Sequence, residues 1–464
     1  MEIRTNEVHY DLIVCGGGPA GIGAAIAAGR KGLRVLLMER AGYLGGVSTA
    51  CALPFWLGCF TGSKPYKWML REGTAYEDLP RPRRAVAGIF KELCDTLRDM
   101  GAGTGADPFI MGQSDKYPGL MRLGCHDEFT FDLEIGKRVL EQKVQEAGVE
   151  LLYYVTICGA EMENGRIKAV LAASKLGVVR YTADAFIDCT GDADVAAFAG
   201  VRTSLSPLDD TSCVSLITHI ENVDAAKLEA YLKAGGDPFF KPALAKAKEE
   251  HPDLILPEWL LIFPMVQPGV FMVNGGTAYG GWDALNPKDM TELSVFGRKR
   301  AQHLAEFIFK YIPGGEHSRV RLTAPWPGVR ETRRIVSMGA LTEDDLLSGR
   351  TFPDPVALAP RHFDLERQHG QPFHDKNLSM KRDAAQIPYS SMVPVDCENL
   401  LAAGRCIQAD GQALGPARIM ATCFAVGQAA GTAAAIRKAQ NCSFAAVPYP
   451  TLRDDLLADG AILE

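Results

Sequence analysis

The feature that most constrains this chain is a glycine-rich turn near its N-terminus, residues 16–21, with the sequence GGGPAG. It lies between an apolar run at residues 10–15 and an alanine-rich run at residues 22–31. A second apolar run, residues 34–38, ends at Glu39. Strand, turn, helix and strand within about 30 residues predict a βαβ unit. Because both strands are continuously apolar, they are expected in a parallel sheet buried on both faces.

The spaced glycines of this turn suit it to holding a dinucleotide. Gly16 permits the tight turn, Gly18 lets backbone amides approach a pyrophosphate, and Gly21 allows the helix to pack closely on the strand. The helix N-terminus adds partial positive charge for the phosphates. Glu39 follows at the end of the second strand, where a carboxylate accepts both hydroxyls of a ribose. An acid at this place disfavours the 2′-phosphate of NADP.

Three distant segments indicate which dinucleotide is bound. Thr190-Gly191-Asp192 ends a further apolar run, and Gly404-Arg405 ends another. Gly415 is predicted to begin the final helix, whose small residues also suit it to close packing. A dinucleotide contacted at residues 16–39 and again at these segments is long and enclosed. That arrangement predicts FAD and not an exchangeable nicotinamide.

Length and pattern predict two lobes, because 464 residues exceed what one hydrophobic core supports. Asn164-Gly165 between alternating runs predicts a hairpin within a β-meander. Residues 212–219 are predicted as one strand, and residues 351–375 as a proline-rich loop. The predicted fold class is α/β, with a Rossmann-like FAD-binding domain (parallel sheet plus β-meander) and a second, mixed α+β substrate or cap domain. The FAD-binding domain is assigned residues 1–62, 127–205 and 320–464, and the cap region residues 63–126 and 206–319.

Charge and cysteine spacing exclude several classes of protein. A net charge of −7 gives no reason to expect nucleic acid as a partner. The 12 cysteines include no Cys-x-x-Cys pair, so no metal or iron–sulfur site is expected, and unpaired thiols suit a reducing cytoplasm. No apolar run is long enough to predict a membrane span. We therefore expect a soluble, cytoplasmic protein.

Several segments resemble one known family. They are IVCGGGPAGIGAAIAA at 13–28, DCTGDADVA at 188–196, PGVRETRRIVSMGALTEDDLLSGRTFPD at 327–354 and NLLAAGRCIQADGQALGPARIMATCFAVGQAAGTAAA at 399–435. The sequence is similar to the FAD-dependent oxidoreductase family of the glutathione-reductase-type FAD superfamily, and distantly to fumarate-reductase-like flavoproteins. The first segment is shared by the whole superfamily, whereas the last two together are much more specific.

The resemblance implies a set of cofactor-binding residues. Residues 44–49 are expected along the pyrophosphate and flavin, Val155 at the adenine, and Asp192 at the pyrophosphate–ribityl end. The final helix would direct its N-terminus at the flavin N1–C2=O edge, where its dipole stabilises reduced flavin. The full set is Gly16, Gly18, Pro19, Ala20, Gly21, Glu39, Arg40, Gly45, Gly46, Ser48, Thr49, Val155, Thr190, Gly191, Asp192, Gly404, Arg405, Gly415, Arg418, Ile419 and Met420.

The cluster Arg330-Glu331-Thr332-Arg333-Arg334 is the main candidate for substrate chemistry. On a strand, Arg330, Thr332 and Arg334 would share one face, and Glu331 and Arg333 the other. An arginine over the flavin can bind a carboxylate bidentately or polarise a carbonyl, so Arg330 and Arg333 are predicted as catalytic. A structural Arg–Glu network between the lobes is the competing interpretation.

Other side chains are candidates by chemistry alone. His126 is also predicted as catalytic, and His362 and Tyr389 are further candidate proton donors. For all three, a structural hydrogen bond is the competing interpretation. Cys51 and Cys59 are not spaced like a redox-active pair and are interpreted as structural thiols.

The predicted function is hydride transfer between flavin N5 and a small organic substrate, with a carboxylate as the candidate, bound between the two lobes. A flavin monooxygenase and an electron-transfer subunit of a larger complex remain open. No second Gly-x-Gly-x-x-Gly segment indicates a dedicated NAD(P)H domain. Transient NAD(P)H, a protein electron partner and a homo-oligomer therefore stay open as partners.

Overall fold

The computed structural model describes residues 3–61, 83–103, 129–275, 278–279, 281–361 and 380–464. The strands are β1 (Arg4–Cys15), β2 (Val35–Glu39), β3 (Phe55–Trp56), β4 (Phe129–Thr130), β5 (Glu150–Tyr153), β6 (Thr156–Glu163), β7 (Arg166–Ser174), β8 (Gly177–Asp188), β9 (Thr203–Ser204), β10 (Val214–Ser215), β11 (Thr218–Glu221), β12 (Leu261–Pro264), β13 (Phe271–Gly275), β14 (Ala278–Tyr279), β15 (Arg319–Thr323), β16 (Arg334–Ile335), β17 (Pro355–Ala359), β18 (Ala385–Pro388) and β19 (Leu400–Ala402).

The helices are α1 (Pro19–Arg30), α2 (Ile89–Asp99), α3 (Leu133–Glu146), α4 (Asp194–Phe198), α5 (Ala225–Lys233), α6 (Lys241–Glu250), α7 (Pro287–Tyr311), α8 (Glu343–Ser348), α9 (Leu414–Ala417), α10 (Met420–Gln440) and α11 (Tyr449–Ala458). Within the described residues, no single helix is long and apolar enough to cross a bilayer, although the bent pair Gly411–Ala417 and Met420–Gln440 meets the length and composition criterion when taken together.

The main sheet has the order β5-β2-β1-β8, and its strands run parallel. Strand β8 pairs with different strands along its length. Its first half pairs antiparallel with β7, which continues the sheet to β6, and its last residues pair parallel with β19. The predicted α/β class, a parallel sheet joined to a β-meander, is confirmed.

Helices α1 and α10 cover one face of this sheet and cross very closely. A Cβ atom at Gly427 would lie 2.0 Å from the carbonyl oxygen of Ala20, and one at Gly431 would lie 2.1 Å from that of Ala24. Only glycine permits this approach, because a carbon cannot come so near a backbone oxygen. The small-residue pattern of the last helix thus brings its N-terminus beside the turn that follows β1.

A second sheet is antiparallel, with the order β12-β13-β11-β15, and is called the cap sheet below. Helices α5, α6 and α7 pack on one of its faces, through side chains such as Leu228, Leu244 and Phe307. Its other face packs against Ala52 and Phe55, which follow the glycine-rich turn in the chain. The cap sheet therefore lies against the part of the molecule that holds the turn.

Several predicted boundaries differ from the structure. Residues 212–219 form two strands, β10 and β11, and residues 351–375 include the buried strand β17. The last helix begins at Met420, because α9 is a separate helical turn, so the expectation that Gly415 begins it is wrong.

The assignment of residues to two domains remains a prediction, and two contacts bear on it. The predicted boundary at residue 320 falls inside β15, which pairs with β11 in the cap sheet. Helix α2, predicted in the cap region, shares its hydrophobic core with α1 and α10.

Candidate functional site

The turn between β1 and α1 leaves no room for side chains at two of its glycines. Gly16 has a φ of +108°, and a Cβ there would lie 2.3 Å from the carbonyl oxygen of Cys189. A Cβ at Gly21 would lie 1.8 Å from the carbonyl oxygen of Gly16. Gly18 differs, since its nearest neighbour would be 3.9 Å away. The turn is thus tightly packed at Gly16 and Gly21 and open at Gly18. At Gly18 the pyrophosphate of a dinucleotide can approach the protein backbone.

Glu39 ends β2 and is buried beside this turn. Its carboxylate accepts hydrogen bonds from the backbone N–H of Gly17 at 2.7 Å and of Ala41 at 2.8 Å. These two bonds fix the orientation of the carboxylate. Each oxygen keeps further acceptor capacity, which suits ribose hydroxyls.

Residues 44–49 close over the turn through internal hydrogen bonds. The backbone N–H of Gly45 donates to Gly17 at 2.8 Å, and the hydroxyls of Ser48 and Thr49 donate to carbonyls of the same loop at 2.7 Å. Gly46 borders the cavity described below, whereas Ser48 and Thr49 are buried and do not border it. Cofactor contact by Gly45, Ser48 and Thr49 remains a prediction.

Three carboxylates, those of Asp188, Asp192 and Asp194, lie at the end of β8 and in the turn after it. Asp188 is fully buried and accepts from the hydroxyl of Thr190 at 2.7 Å, and burial raises its pKa. Asp192 accepts from Arg405 at 2.7 Å. Burial, followed by repulsion from the other two carboxylates, raises the pKa of Asp194 to about 6. This acidic turn is held together by hydroxyl and guanidinium donors.

One cavity of about 740 Å³ connects the glycine-rich turn to the cap sheet. Its volume is in the range of about 300–1,000 Å³ that small-molecule and cofactor sites have. Most of the predicted cofactor-binding residues border it, namely Gly16, Gly18, Pro19, Ala20, Glu39, Arg40, Gly46, Val155, Thr190, Gly191, Asp192, Gly404, Arg405, Arg418, Ile419 and Met420. Gly21 and Gly415 are buried and are not among its lining residues.

The arginine cluster is a strand only at Arg334–Ile335. Buried Glu331 pairs with buried Arg334, so the prediction that they lie on opposite faces is wrong. The reason is that the backbone before Arg334 does not alternate as a strand does. The structural Arg–Glu network considered from sequence is present for this pair.

The two predicted catalytic arginines occupy different places. Arg330 borders the cavity, and its guanidinium donates to the carbonyl oxygen of Cys213 at 2.7 Å. Arg333 is not among the lining residues and instead donates to the carbonyl of Asp192 at 2.9 Å and pairs with the carboxylate of Asp194, two residues that do border the cavity. Catalysis by either residue remains a prediction.

The remaining candidates from the sequence are two histidines, one tyrosine and two cysteines. His126 and His362 lie outside the described residues. Tyr389 is buried and donates to the carbonyl of Phe444 at 2.9 Å, and burial raises its pKa, so a structural bond accounts for it. Cys51 borders the cavity with its pKa raised by burial to about 12, and Cys59 is buried.

Some lining residues were missed by sequence reasoning. Trp326 borders the cavity, and the guanidinium of Arg40 lies over its ring, 4.1 Å from the centroid. Arg298 on α7 and Arg361 after β17 also reach the lining. The sequence Pro-Trp-Pro at residues 325–327 was the only local signal for any of these positions.

The residues present fit FAD. The compressed glycines, the backbone opening at Gly18 and the oriented carboxylate of Glu39 are the features that a dinucleotide needs. The bordering segments at residues 190–192 and 404–420 extend the cavity beyond the adenosine half. FAD, when bound, supplies two-electron redox chemistry at its flavin ring.

Two curated proteins are similar to part of this chain. Digeranylgeranylglycerophospholipid reductase 1 of Methanococcoides burtonii is 24% identical over 226 residues, 48% of this chain and 48% of that protein. The corresponding reductase of Methanoculleus marisnigri is 25% identical over 225 residues, 48% of this chain and 49% of that protein. The match therefore spans about half the length of these curated relatives.

Solved structures similar to this chain are more distant. A geranylgeranyl bacteriochlorophyll reductase-like protein of Thermoplasma acidophilum has a TM-score of 0.45 at 14% identity, over 99% of this chain and 85% of that one. The p-nitrophenol 4-monooxygenase PnpA of Pseudomonas putida DLL-E4 has a TM-score of 0.46 at 12% identity, over 98% and 89%.

A family model described as "FAD dependent oxidoreductase" matches residues 11–456, which is nearly the whole chain. The protein binds FAD and is an enzyme. This chain belongs to the FAD dependent oxidoreductase family.

Proposed function

We propose that this enzyme transfers a hydride between FAD and a small organic substrate that carries a carboxylate. The substrate would bind in the part of the cavity next to the cap sheet. One observation carries the proposal: the same cavity is bordered by the glycine-rich turn, by side chains of β12 and by Arg330. A substrate held there lies in the same enclosed space as the cofactor.

The charges of the cavity support an anionic substrate. Among the described lining residues, the carboxylates Glu39, Asp192 and Asp194 all belong to the dinucleotide end. The charged lining residues beyond that end are Arg298, Arg330 and Arg361. An excess of guanidinium groups over a cavity with apolar walls favours an organic anion.

Arg330 is the best placed of these groups to orient a carboxylate. The bond from one of its terminal nitrogens to the carbonyl of Cys213 holds the planar guanidinium in place. The remaining N–H groups keep the fork geometry that binds a carboxylate with two parallel hydrogen bonds. Arg330 would thus bind and orient the substrate, and the apolar walls would exclude water from the reacting carbon.

The relatives add support for a reductase. Both curated proteins are named as reductases, although the match covers only about half of each. Reduction needs no oxygen atom to enter the product. We therefore favour hydride transfer over oxygen insertion as the reaction of this enzyme.

Anaerobic mixing of the FAD-loaded protein with carboxylates tests the proposal. Oxidised protein is mixed with saturated and hydroxy carboxylates, and chemically reduced protein with unsaturated and oxo carboxylates, while flavin absorbance is followed. We expect at least one acid to bleach or restore the absorbance. Its amide should react more slowly, because the charge that Arg330 binds is missing.

Arg330→Gln sharpens the same experiment. We expect a loss of about 10- to 160-fold in kcat/KM for the acid, because a hydrogen bond between charged groups is worth about 1.5–3 kcal/mol. The reactivity of the amide should change little. No exchange of electrons with any carboxylate, or turnover that requires O2 and inserts oxygen into the product, would overturn the proposal.

A further inference from the structure

Strand β12 of the cap sheet is apolar on both faces: one face packs under the cap helices, and the other packs on Ala52 and Phe55 and also borders the cavity. Leu260 and Ile262 point into the core beneath the cap helices and are buried. Leu261 and Phe263 of β12, and Trp259 two residues before the strand, border the cavity. Because Leu261 on the second face is only partly buried, its packing leaves apolar surface open to the cavity.

These three side chains, which all line the cavity, are together called the β12 wall here. Phe263 stacks on Phe55, with the ring centroids 5.1 Å apart, so the wall meets the segment that follows the glycine-rich turn. Trp259 and Leu261 are only partly buried and therefore present apolar surface to the cavity. Extended chain from residue 259 to residue 263 is at most about 13 Å long, the length of roughly ten carbon atoms.

Contact between water and the apolar surface of the β12 wall costs free energy. Each square ångström of apolar surface removed from water contributes about 25 cal/mol. A short, fully polar acid such as a four-carbon dicarboxylate would leave most of the wall wet. An apolar body beside a charged group would cover it while Arg330 binds the charge.

We infer that the substrate is an amphiphilic anion whose apolar body lies along Trp259, Leu261 and Phe263. This inference rests on the proposed function, because it places the charged group of the substrate on Arg330. It adds that selectivity among carboxylates is set by the length of the apolar body. Leu261, at the centre of the wall, is the specificity-determining residue.

Binding of a chain-length series to the FAD-loaded protein tests the inference. Dissociation constants of butanoate, octanoate and dodecanoate are measured from changes in flavin fluorescence. We expect about fourfold tighter binding for each added methylene group, until the chain exceeds the wall. Primary alcohols of the same lengths should follow the same trend with weaker binding.

Two substitutions serve as matched variants. Leu261→Ser should weaken the binding of octanoate about tenfold or more and leave that of butanoate within twofold. Val295→Ser is the control, because Val295 is 60% exposed on α7 and does not border the cavity. Thermal unfolding of both variants shows whether the fold is retained.

The outcomes separate the inference from the proposed function. Equal affinities for the three acids, or equal losses in both variants, overturn the inference. Turnover of short carboxylates without any length dependence leaves the proposed function standing alone. A length dependence without electron exchange between FAD and any acid supports the β12 wall and contradicts the proposed reaction.

Discussion

The two ends of the cavity are built by different means. At the dinucleotide end, backbone atoms meet backbone atoms, and a Cβ at Gly16 or Gly21 has no space. At the cap end, side chains such as Leu261 and Arg330 form the surface. A backbone surface changes only if the fold changes, whereas a side-chain surface changes with one substitution. In a chain like this, the glycines of the turn therefore predict the cofactor from sequence, whereas no comparable pattern predicts the substrate.

The largest expected effect comes from adding one methyl group at the dinucleotide end. Gly21→Ala would place a Cβ 1.8 Å from the carbonyl oxygen of Gly16. We expect a loss of at least about 3 kcal/mol in stability, because helix and strand must separate. The protein should purify without FAD, as measured by flavin absorbance per chain.

Gly18→Ala sharpens this prediction, because Gly18 has ordinary backbone geometry, with φ at −76°, and open space around it. Its stability without FAD should stay within about 1 kcal/mol of the unaltered protein, while FAD affinity falls. Gly148→Ala, at a φ of +75° with no neighbour within 4 Å, costs stability through backbone strain alone and should leave FAD affinity unchanged, so it separates lost stability from lost cofactor binding. Equal destabilisation by Gly18→Ala and Gly21→Ala would contradict the backbone account.

At the cap end, a single buried histidine makes stability depend on pH. His219 on β11 hydrogen-bonds the carbonyl of Ala52 at 2.8 Å, and burial lowers its pKa to about 4 from 6.5. The folded protein therefore disfavours the proton that the unfolded chain binds. This contribution is fully present above pH 6.5 and is lost as the pH falls towards 4. By pH 5 the loss should be roughly 2 kcal/mol.

Urea unfolding at several pH values measures this loss. In His219→Gln, an amide N–H can still donate to Ala52, but the titrating group is gone. The difference in unfolding free energy between the two proteins should shrink as the pH falls from neutral to 5, since acidic residues elsewhere titrate equally in both. Parallel pH profiles for both proteins would show that His219 does not carry the effect.

The same contrast explains what could be predicted from sequence. The βαβ unit was predictable, because glycine spacing and apolar runs are local. The Asn164-Gly165 turn was too, and both residues have positive φ, at 50° and 73°. Strand β17 was missed, because neighbouring prolines hid a short apolar run that pairs with β18.

The substrate end was less predictable, since its residues meet only in the folded chain. The prediction that side chains alternate between two faces around Arg330 is wrong, since Glu331 forms a buried ion pair with Arg334. Arg298 and Trp326 reach the cavity from segments without a motif. Which arginine faces the cavity depends on contacts with Cys213, the residue before β10, and with the turn after β8, which no local pattern contains.

The smallest expected effect concerns the cation–π pair of Arg40, the residue after β2, and Trp326, which follows β15 of the cap sheet. Arg40 lies over the ring of Trp326 at 4.1 Å, and both border the cavity. An exposed cation–π contact contributes about 0.5–1 kcal/mol. A double-mutant cycle with Arg40→Met and Trp326→Leu, followed by urea unfolding, should give a coupling of that size.

The pair Lys137 and Tyr43 is the matched control, because it has similar geometry, at 4.3 Å, away from the cavity lining. Its own cycle should give a similar coupling energy in unfolding. Only the Arg40–Trp326 cycle should also change the rate of FAD release, because that pair alone of the two borders the cavity. Equal release rates in all four proteins of that cycle would show that the contact between Arg40 and Trp326 does not retain FAD in the cavity.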